Sequence, residues 1–357
     1  MDSEKKIMKA VVLKEFHKPF VVEELPIPEP GPGEVLIKVM ASGLCLTDAH
    51  IQDGILKTVK PPYTPGHELA GIVVKLGPGV KGVQVGLHMC GWIDVVCHSC
   101  MMCKMGRENL CLNRIRIGFE RNGSHAEYVA IPAENVMPVS EEIPWPNAAI
   151  IPDAVACMYH AIKNQGQVKA GDKILLAGMG ALGIQGVQIA KYLGATVYAS
   201  GRTEAKLELA REFGADAVIN TREQGLKEEI ERLTDGSLCD VIVDLIGTGS
   251  SIDEELHCLR PGGKIIAAAY SADTFTVDYQ EIVIKEKEII GIRGATQQAL
   301  KEAIRLVEQK AIDPYVCKLW TIDEVNEAVE ALRGYKNLAR TAFSFSEKKD
   351  SQSFLPD

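Results

Sequence analysis

The chain has 357 residues, of which 46% are hydrophobic and 24% charged, and its formal net charge is −9 at pH 7. This length exceeds what one core usually needs, so we expect two domains. The acidic balance argues against a nucleic-acid partner, and no apolar run reaches the roughly 18 residues that cross a bilayer. Residues 1–6 lack the apolar core of a signal peptide, so the sequence predicts a cytoplasmic protein, in which ten cysteines favour metal binding or catalysis over disulfides.

Strand patterns dominate the first part of the chain. Residues 8–13 and 34–39 predict two strands, and the proline-rich residues 26–33 predict an extended loop between them. Residues 69–76 and 83–89 predict two further strands on either side of a turn. We therefore expect a mainly β first part.

Two short segments in this part carry reactive side chains. Residues 43–50 read G-L-C-L-T-D-A-H, and residues 65–68 read P-G-H-E. A thiolate, an imidazole and a carboxylate from separate loops suit zinc, and a catalytic zinc keeps one coordination position open. Taken singly, Cys45 also fits a buried apolar thiol and His67 a turn histidine, but their occurrence together favours a metal site.

A four-cysteine segment follows, with the spacing C-x2-C-x2-C-x7-C at Cys97, Cys100, Cys103 and Cys111. Four thiolates close a tetrahedral shell around zinc without an open position, which predicts a structural site. The four cysteines alone also fit a nucleic-acid-binding zinc ribbon, which the acidic charge disfavours. Cys90 lies outside the spacing and is expected in the core, and His98 is expected in solvent.

A strand–turn–helix–strand unit begins at residue 174. Residues 174–177 and 195–199 predict strands, residues 181–193 predict a helix, and the intervening turn reads G-x-G-x-x-G at Gly178, Gly180 and Gly183. Such a turn brings a pyrophosphate to the helix N-terminus, here Ala181 and Leu182, although a glycine-rich turn without a ligand is the simpler alternative. The β-α-β context favours a dinucleotide.

Strands and helices continue to alternate after this unit. Residues 217–219, 240–245, 264–269 and 289–292 predict strands, with helices at 204–213 and 224–233, and an earlier helix is predicted at 147–164. This alternation predicts a doubly wound parallel sheet. The acid that binds the ribose of NAD would fall on Gly201, within Ser200-Gly201-Arg202; its absence, and a guanidinium able to pair with a 2′-phosphate, favour NADP, with Glu204 as an alternative acid.

These motifs, in this order, resemble those of the zinc-dependent medium-chain alcohol dehydrogenases, and the resemblance runs from residue 8 to about residue 345. It implies an α/β protein in which a Rossmann doubly wound parallel sheet accompanies a mainly β GroES-like catalytic domain with a structural zinc lobe. The implied catalytic zinc-binding domain comprises residues 1–153 and 295–357, and the dinucleotide-binding domain residues 154–294.

The resemblance also assigns metal ligands. Cys45 and His67 resemble the first two ligands of the catalytic zinc, and Asp153 stands where many members have a cysteine as the third. Cys157, one helical turn further on, is the rival third ligand. Glu68 resembles a residue that binds the metal transiently.

Further roles follow from the same resemblance. Asp48 resembles the carboxylate that orients the metal-bound histidine. Thr47 would take the proton of the substrate hydroxyl and relay it through the cofactor ribose hydroxyl, and His50 would pass it to solvent. Arg340 resembles an arginine that reaches the cofactor pyrophosphate, although a surface arginine at the start of a strand is the alternative. The implied activity is reversible oxidation of a secondary, polyol or cyclic alcohol to a ketone or aldehyde with NADP, or with NAD.

The expected cofactors are two zinc ions per chain and the dinucleotide, and the expected partners are a small alcohol or carbonyl compound and further copies of the chain, as a tetramer or a dimer. Two alternatives remain open at this stage. One is a non-catalytic NADPH-binding protein of the same fold, and the other is a zinc-free quinone reductase.

Overall fold

A computed structural model describes residues 6–346, so both ends of the predicted first domain and most of the N-terminal segment 1–6 lie outside the described residues. The chain divides into two compact units. The first comprises Met1–Asp153, Thr296–Gln309 and Pro314–Asp357, and the second comprises Ala154–Ala295 and Lys310–Asp313. The described part of the chain contains no helix with the length and apolar character that a membrane span requires.

Seventeen strands are formed, namely β1 (Ile7–Val12), β2 (Val21–Pro26), β3 (Glu34–Leu44), β4 (Glu68–Leu76), β5 (His88–Gly91), β6 (Asp94–Val95), β7 (Ile115–Arg116), β8 (Tyr128–Pro132), β9 (Val136–Pro138), β10 (Lys173–Ala177), β11 (Thr196–Gly201), β12 (Ala217–Asn220), β13 (Cys239–Asp244), β14 (Leu259–Ala267), β15 (Glu288–Gly291), β16 (Val316–Trp320) and β17 (Arg340–Ser344) within residues 6–346.

The α-helices of the same residues are α1 (Leu46–Gln52), α2 (Met101–Lys104), α3 (Trp145–Ile150), α4 (Ala156–Tyr159), α5 (Ala181–Tyr192), α6 (Glu204–Glu212), α7 (Leu226–Leu233), α8 (Gly249–His257), α9 (Tyr279–Val283), α10 (Gln297–Glu308) and α11 (Val325–Arg333). Two π-helical segments, Ile151–Val155 and His160–Gln165, flank α4. The helix predicted at 147–164 is therefore present, but its hydrogen bonding is irregular.

The first unit contains a seven-stranded sheet in the order β16-β17-β3-β4-β5-β9, with β8 also paired to β3. β3 is antiparallel to both neighbours, and its register places Leu44 opposite Thr341 and Gly43 opposite Glu68. The C-terminal end of β3 and the N-terminal ends of β4 and β17 therefore meet at one edge of the sheet. The prediction of a mainly β first part is confirmed.

The second unit contains six parallel strands in the order β12-β11-β10-β13-β14-β15. In β10 the apolar residues Ile174, Leu175, Leu176 and Ala177 are all fully buried. Burial of consecutive residues is expected for a parallel strand that is covered on both faces. The predicted doubly wound sheet is confirmed, and its strand limits lie within a few residues of those predicted.

One strand prediction is wrong over most of its length. Residues 83–87 are not a strand, and β5 begins only at His88. Gly82 and Gly86 have φ angles of +76° and +92°, so the backbone turns at both positions. Val85 is 59% exposed, and its apolar character therefore reflects no buried face.

Candidate functional site

Two strand ends position Cys45 and His67, the first two members of the metal-ligating group. Cys45 follows the last residue of β3 and is the N-cap of α1, while His67 directly precedes β4. Because β3 and β4 are antiparallel neighbours, the end of one strand lies beside the start of the other. The two residues are 22 positions apart in sequence, yet the pairing brings their side chains together.

Asp153 completes the group from the π-helical segment Ile151–Val155. Such single wide turns inside helices occur frequently at functional sites. The Asp153 Oδ2 atom lies 3.9 Å from Cys45 Sγ and 3.8 Å from His67 Nε2. The donor atoms of the three residues are all within 4.8 Å of one another, and Cys157 is not part of the group.

This donor set fits zinc. Ligand atoms at about 2.0–2.3 Å from a tetrahedral zinc lie about 3.3–3.8 Å apart, close to the separations found here. His67 is 3% exposed, so its imidazole is shielded from water. One sulfur, one nitrogen and one carboxylate oxygen are the donors of a catalytic zinc that retains a fourth position for another ligand.

Glu68 and Arg340 adjoin these ligands. An Nη2 atom of Arg340 donates hydrogen bonds to Oε1 of Glu68 and, at 2.6 Å, to Oδ2 of Asp153. Glu68 is fully buried, and a Cβ on Gly43 would occupy the position of its side chain. Within residues 6–346 the second oxygen of Glu68, Oε2, has no hydrogen-bond partner. Sequence reasoning missed this pairing, and the predicted contact of Arg340 with a pyrophosphate stays a prediction.

The four cysteines of the lobe also converge. The Sγ–Sγ distances are 3.5 Å for Cys100–Cys103, 3.9 Å for Cys100–Cys111 and 3.5 Å for Cys97–Cys111. Zn–S bonds of about 2.3 Å in a tetrahedron place the sulfurs about 3.8 Å apart. Hydrogen bonds from Ser99 and from backbone N–H groups lower the pKa of Cys97 to about 5, which favours the thiolate that zinc binds. The lobe has the geometry of a structural zinc site.

The predictions that Cys90 lies in the core and that His98 is exposed to solvent are both confirmed. Cys90 is fully buried within the sheet of the first unit. His98 is exposed and lies 2.9 Å from a carboxylate oxygen of Glu134.

The glycine turn of the second unit joins β10 to α5. Gly178 has a φ angle of +107°, and a Cβ on Gly183 would lie 2.6 Å from the carbonyl oxygen of Gly178. A Cβ on Gly180 would meet no atom within 4 Å, so the backbone beside it is open to a ligand. Ala181 and Leu182 then form the first turn of α5, whose N–H groups are available to an anion.

The end of β11 lies next to this turn. Ser200 is buried, and its hydroxyl has no hydrogen-bond partner among residues 6–346. Gly201 ends the strand, and Arg202 follows it. Glu204 is the first residue of α6, and its carboxylate lies 3.3 Å from Arg211 and 3.4 Å from the side-chain amide of Asn220.

Two protein families match separate parts of the chain. The zinc-binding dehydrogenase family matches residues 181–309, and the alcohol dehydrogenase GroES-like domain family matches residues 31–141. L-threonine 3-dehydrogenase of Pyrococcus horikoshii is 33% identical over 328 residues, which cover 88% of this chain and 92% of that protein. The chain belongs to the zinc-binding medium-chain alcohol dehydrogenase family.

Two solved structures extend the comparison. Acetophenone reductase from Geotrichum candidum in complex with NAD is 30% identical, with a TM-score of 0.85 and coverage of 95% of this chain and 97% of that chain. A zinc-binding dehydrogenase from Sinorhizobium meliloti bound to NADP is 28% identical, with a TM-score of 0.86 and coverage of 95% and 100%. The chain is thus a zinc-dependent, NAD(P)-dependent dehydrogenase with a GroES-like domain and a Rossmann sheet.

Burial and the charge of Arg340 have opposing effects on the pKa values of the metal-ligating residues and of Glu68. Burial raises the pKa of the Cys45 thiol, but the charge of Arg340 and a hydrogen bond with His67 outweigh it and lower the pKa overall. Burial likewise opposes ionisation of Asp153, whose pKa is nonetheless lowered by His67 and Arg340. For Glu68 burial dominates, and the pKa is raised well above its usual value.

Helix α1 supplies the remaining predicted residues. Thr47 Oγ1 lies 3.3 Å from Cys45 Sγ, so its hydroxyl adjoins the metal group. Asp48 accepts a hydrogen bond from the Cys45 backbone N–H at 3.0 Å, and its Oδ1 is 3.9 Å from His67 Nδ1. His50 lies one turn further along, and burial lowers its pKa below the usual 6.5, although Asp53 partly opposes this shift.

Proposed function

We propose that this dehydrogenase reversibly oxidises a secondary alcohol to a ketone and transfers the hydride to NADP. The observation that carries the proposal is the convergence of Cys45, His67 and Asp153, which fits a catalytic zinc. The names of two similar proteins, L-threonine 3-dehydrogenase and acetophenone reductase, both imply interconversion of a secondary alcohol and a ketone. The hydroxyl at C3 of L-threonine is a secondary alcohol, and reduction of acetophenone gives a secondary alcohol. Polyol and cyclic substrates with secondary hydroxyls fall in the same class.

The three ligands would hold zinc with one position open. Zinc bound there supplies a Lewis acid that lowers the pKa of an alcohol hydroxyl. Thr47, whose Oγ1 is beside the Cys45 sulfur, would receive the substrate hydroxyl proton and at the same time release its own hydroxyl proton towards His50, so that its side chain stays neutral. His50 then delivers a proton to solvent; because burial lowers its pKa, its imidazole is neutral near pH 7 and can accept one.

The choice of NADP is supported by three features at the end of β11. Gly201 provides no carboxylate for the ribose hydroxyls, and Arg202 follows it as a potential partner for a 2′-phosphate. Glu204 is committed to Arg211 and Asn220, which makes it a poor substitute for the missing acid. NAD is the alternative outcome.

We also propose that the enzyme is a homo-oligomer, with a tetramer favoured over a dimer. β15 is the last strand of the six-stranded order, and open edges of sheets pair readily with other chains. Just before this strand, Val283 and Ile284 are 54% and 74% exposed, which is unusual for large apolar side chains at a free surface. A cytoplasmic location remains a prediction.

A substrate panel on protein of known zinc content tests the proposal. L-threonine, simple secondary, primary and cyclic alcohols, polyols and the matching ketones are assayed with NADP and NAD in parallel. We expect about two zinc ions per chain, and turnover of secondary alcohols and ketones with NADP. Turnover confined to primary alcohols would contradict the substrate class, and a preference for NAD would contradict the cofactor.

Two variants test the metal site itself. Cys45→Ser and His67→Ala should each abolish turnover and remove about one zinc per chain, with an unchanged far-UV circular dichroism spectrum. Full turnover in either variant would refute the assignment of these ligands. Zinc content and alcohol turnover of the wild-type protein also separate the two alternative functions. A zinc-free quinone reductase would contain no zinc, and a non-catalytic NADPH-binding protein would turn over no alcohol.

A further inference from the structure

A buried chain of polar side chains leads away from the metal group on the side of Asp48. His125 Nε2 lies 3.5 Å from Asp48 Oδ2, and His125 Nδ1 lies 2.8 Å from the hydroxyl of Ser42. The Ser42 hydroxyl is in turn 2.7 Å from that of Ser124. All four side chains are at most 1% exposed, so they can exchange hydrogen bonds only with protein groups or enclosed water.

The chemistry of these groups fixes the role of each histidine nitrogen. A serine hydroxyl satisfies Nδ1 of His125 either as donor or as acceptor. A carboxylate only accepts hydrogen bonds, so Nε2 must carry the proton that faces Asp48. Within residues 6–346 neither His125 Nε2 nor Asp48 Oδ1 makes a hydrogen bond, and the charged groups that face them are Asp48 Oδ2 at 3.5 Å and His67 Nδ1 at 3.9 Å.

Asp48 therefore lies between two imidazoles. Oδ2 receives the backbone N–H of Cys45 and faces His125, while Oδ1 faces Nδ1 of His67. A metal-bound histidine is usually oriented by a carboxylate on its second nitrogen, and that carboxylate acts only if it is itself held in place. Rotation of Asp48 about its side-chain bonds would withdraw Oδ1 from His67.

The backbone is shaped to admit His125. Gly66 has a φ angle of +104°, and a Cβ at this position would lie 2.5 Å from the His125 backbone nitrogen and 2.6 Å from its Nδ1. The imidazole also packs against the ring of Phe343 in a T-shaped arrangement, with 4.9 Å between the ring centroids. The histidine is thus fixed both by polar partners and by packing.

We propose that His125 is a positioning residue of the catalytic metal site: by donating to Asp48 it holds this carboxylate against His67, and the pair Ser42 and Ser124 holds His125. The inference rests on the proposed catalytic zinc. His125 touches neither the metal ligands' donor atoms nor the substrate in this scheme, and its effect passes through Asp48.

Zinc retention by the intact enzyme tests this role. The holoenzyme and its variants are titrated with a competing zinc chelator, and the zinc remaining per chain is measured, with the four-cysteine site as internal reference. His125→Phe keeps a ring against Phe343 but removes the donor, and we expect zinc binding at the catalytic site to weaken roughly 10- to 100-fold. Exchange of Co²⁺ into that site, followed by its visible spectrum, identifies which metal is lost.

Matched variants separate positioning from packing. His125→Gln places an amide N–H near the position of Nε2, so it should restore zinc binding close to the wild-type value. Ser42→Ala removes the partner of Nδ1 and should give an intermediate loss. Phe343→Leu removes the ring contact alone, and it should lower the melting temperature without weakening zinc binding. If His125→Phe does not fold, the glutamine and alanine variants carry the comparison.

Three results would overturn the inference. These are wild-type zinc binding in His125→Phe, a glutamine variant as weak as the phenylalanine variant, or a loss of zinc in Phe343→Leu as large as that in His125→Phe. Wild-type protein that holds zinc only at the four cysteines would instead refute the proposed function, and this inference with it.

Discussion

Glu255 is a buried carboxyl group whose ionisation makes the stability of the protein depend on pH. The residue lies in α8 and is fully buried, and within residues 6–346 neither carboxylate oxygen has a hydrogen-bond partner. Burial raises its pKa from 4.5 to about 9, and the charges of Asp244 and Glu254 add to this effect. At neutral pH the folded protein therefore contains a protonated carboxyl at this position.

The magnitude follows from proton linkage. In the unfolded chain Glu255 ionises near its ordinary pKa of 4.5, whereas in the folded chain it stays protonated up to about pH 9. Between these two pKa values Glu255 is ionised in the unfolded state but protonated in the folded state. The free energy of unfolding therefore falls by about 1.4 kcal/mol for each unit by which the pH rises. At pH 7 the accumulated penalty is about 3 kcal/mol, and it disappears as the pH falls to the unfolded pKa.

Glu255→Gln isolates this effect, because the amide is neutral at every pH and has nearly the shape of the protonated carboxyl. We expect the variant to be more stable by about 3 kcal/mol near pH 7 and to match the wild type near pH 4.5. Urea unfolding followed by far-UV circular dichroism measures the difference, with the exposed Glu15→Gln as control, expected within about 0.5 kcal/mol of wild type. A stability difference that is absent near pH 7, or that shrinks as the pH rises, would refute the reasoning.

Three further substitutions probe the metal and cofactor sites. Cys100→Ser should remove about one zinc per chain and lower the melting temperature; an unchanged melting temperature would count against a structural zinc. Arg340→Met removes the cation that pairs with Asp153 and the donor of the hydrogen bond to buried Glu68, and it should cost about 3–5 kcal/mol in urea unfolding; a variant as stable as wild type would show that this pairing is dispensable. Gly201→Asp should shift the ratio of kcat/KM values from NADP towards NAD by about tenfold or more, and an unchanged ratio would place the adenosine ribose elsewhere.

The features that the sequence predicts well are local ones. The glycine turn at residues 178–183 and the four-cysteine spacing each depend on neighbours within about fifteen positions, so the residue types and their intervals already specify the geometry. The six parallel strands are also predictable, because burial on both faces requires short continuous apolar runs such as residues 174–177. Residues 83–87 show the limit of this reasoning: glycines with positive φ angles interrupt an apolar pattern that otherwise fits a strand.

Contacts between distant residues were beyond such reasoning. Arg340 is 272 positions from Glu68 and 187 from Asp153. The pairing of β17 and β4 with β3 brings Arg340 close to Glu68, and the π-helical segment Ile151–Val155 supplies Asp153. His125 occupies a segment that reads simply as a turn before a strand. Its approach to Asp48 depends on the absence of a side chain at Gly66, and neither residue reveals this dependence by itself.

The contacts of Arg340 explain what an aspartate contributes at position 153, where many members of the family have a cysteine. Cys45 and Asp153 have lowered pKa values and ionise, whereas burial favours the neutral form of Glu68, so a single guanidinium balances only one of the two anions in this buried site. A divalent cation neutralises the remaining negative charge, as buried charges require. The carboxylate of Asp153 is a strong hydrogen-bond acceptor as well as a metal ligand, whereas a cysteine sulfur accepts hydrogen bonds only weakly. Aspartate at this position therefore ties the metal ligands to Arg340 and, through Arg340, to Glu68, so that a change at any one of these residues alters the charge balance of all of them.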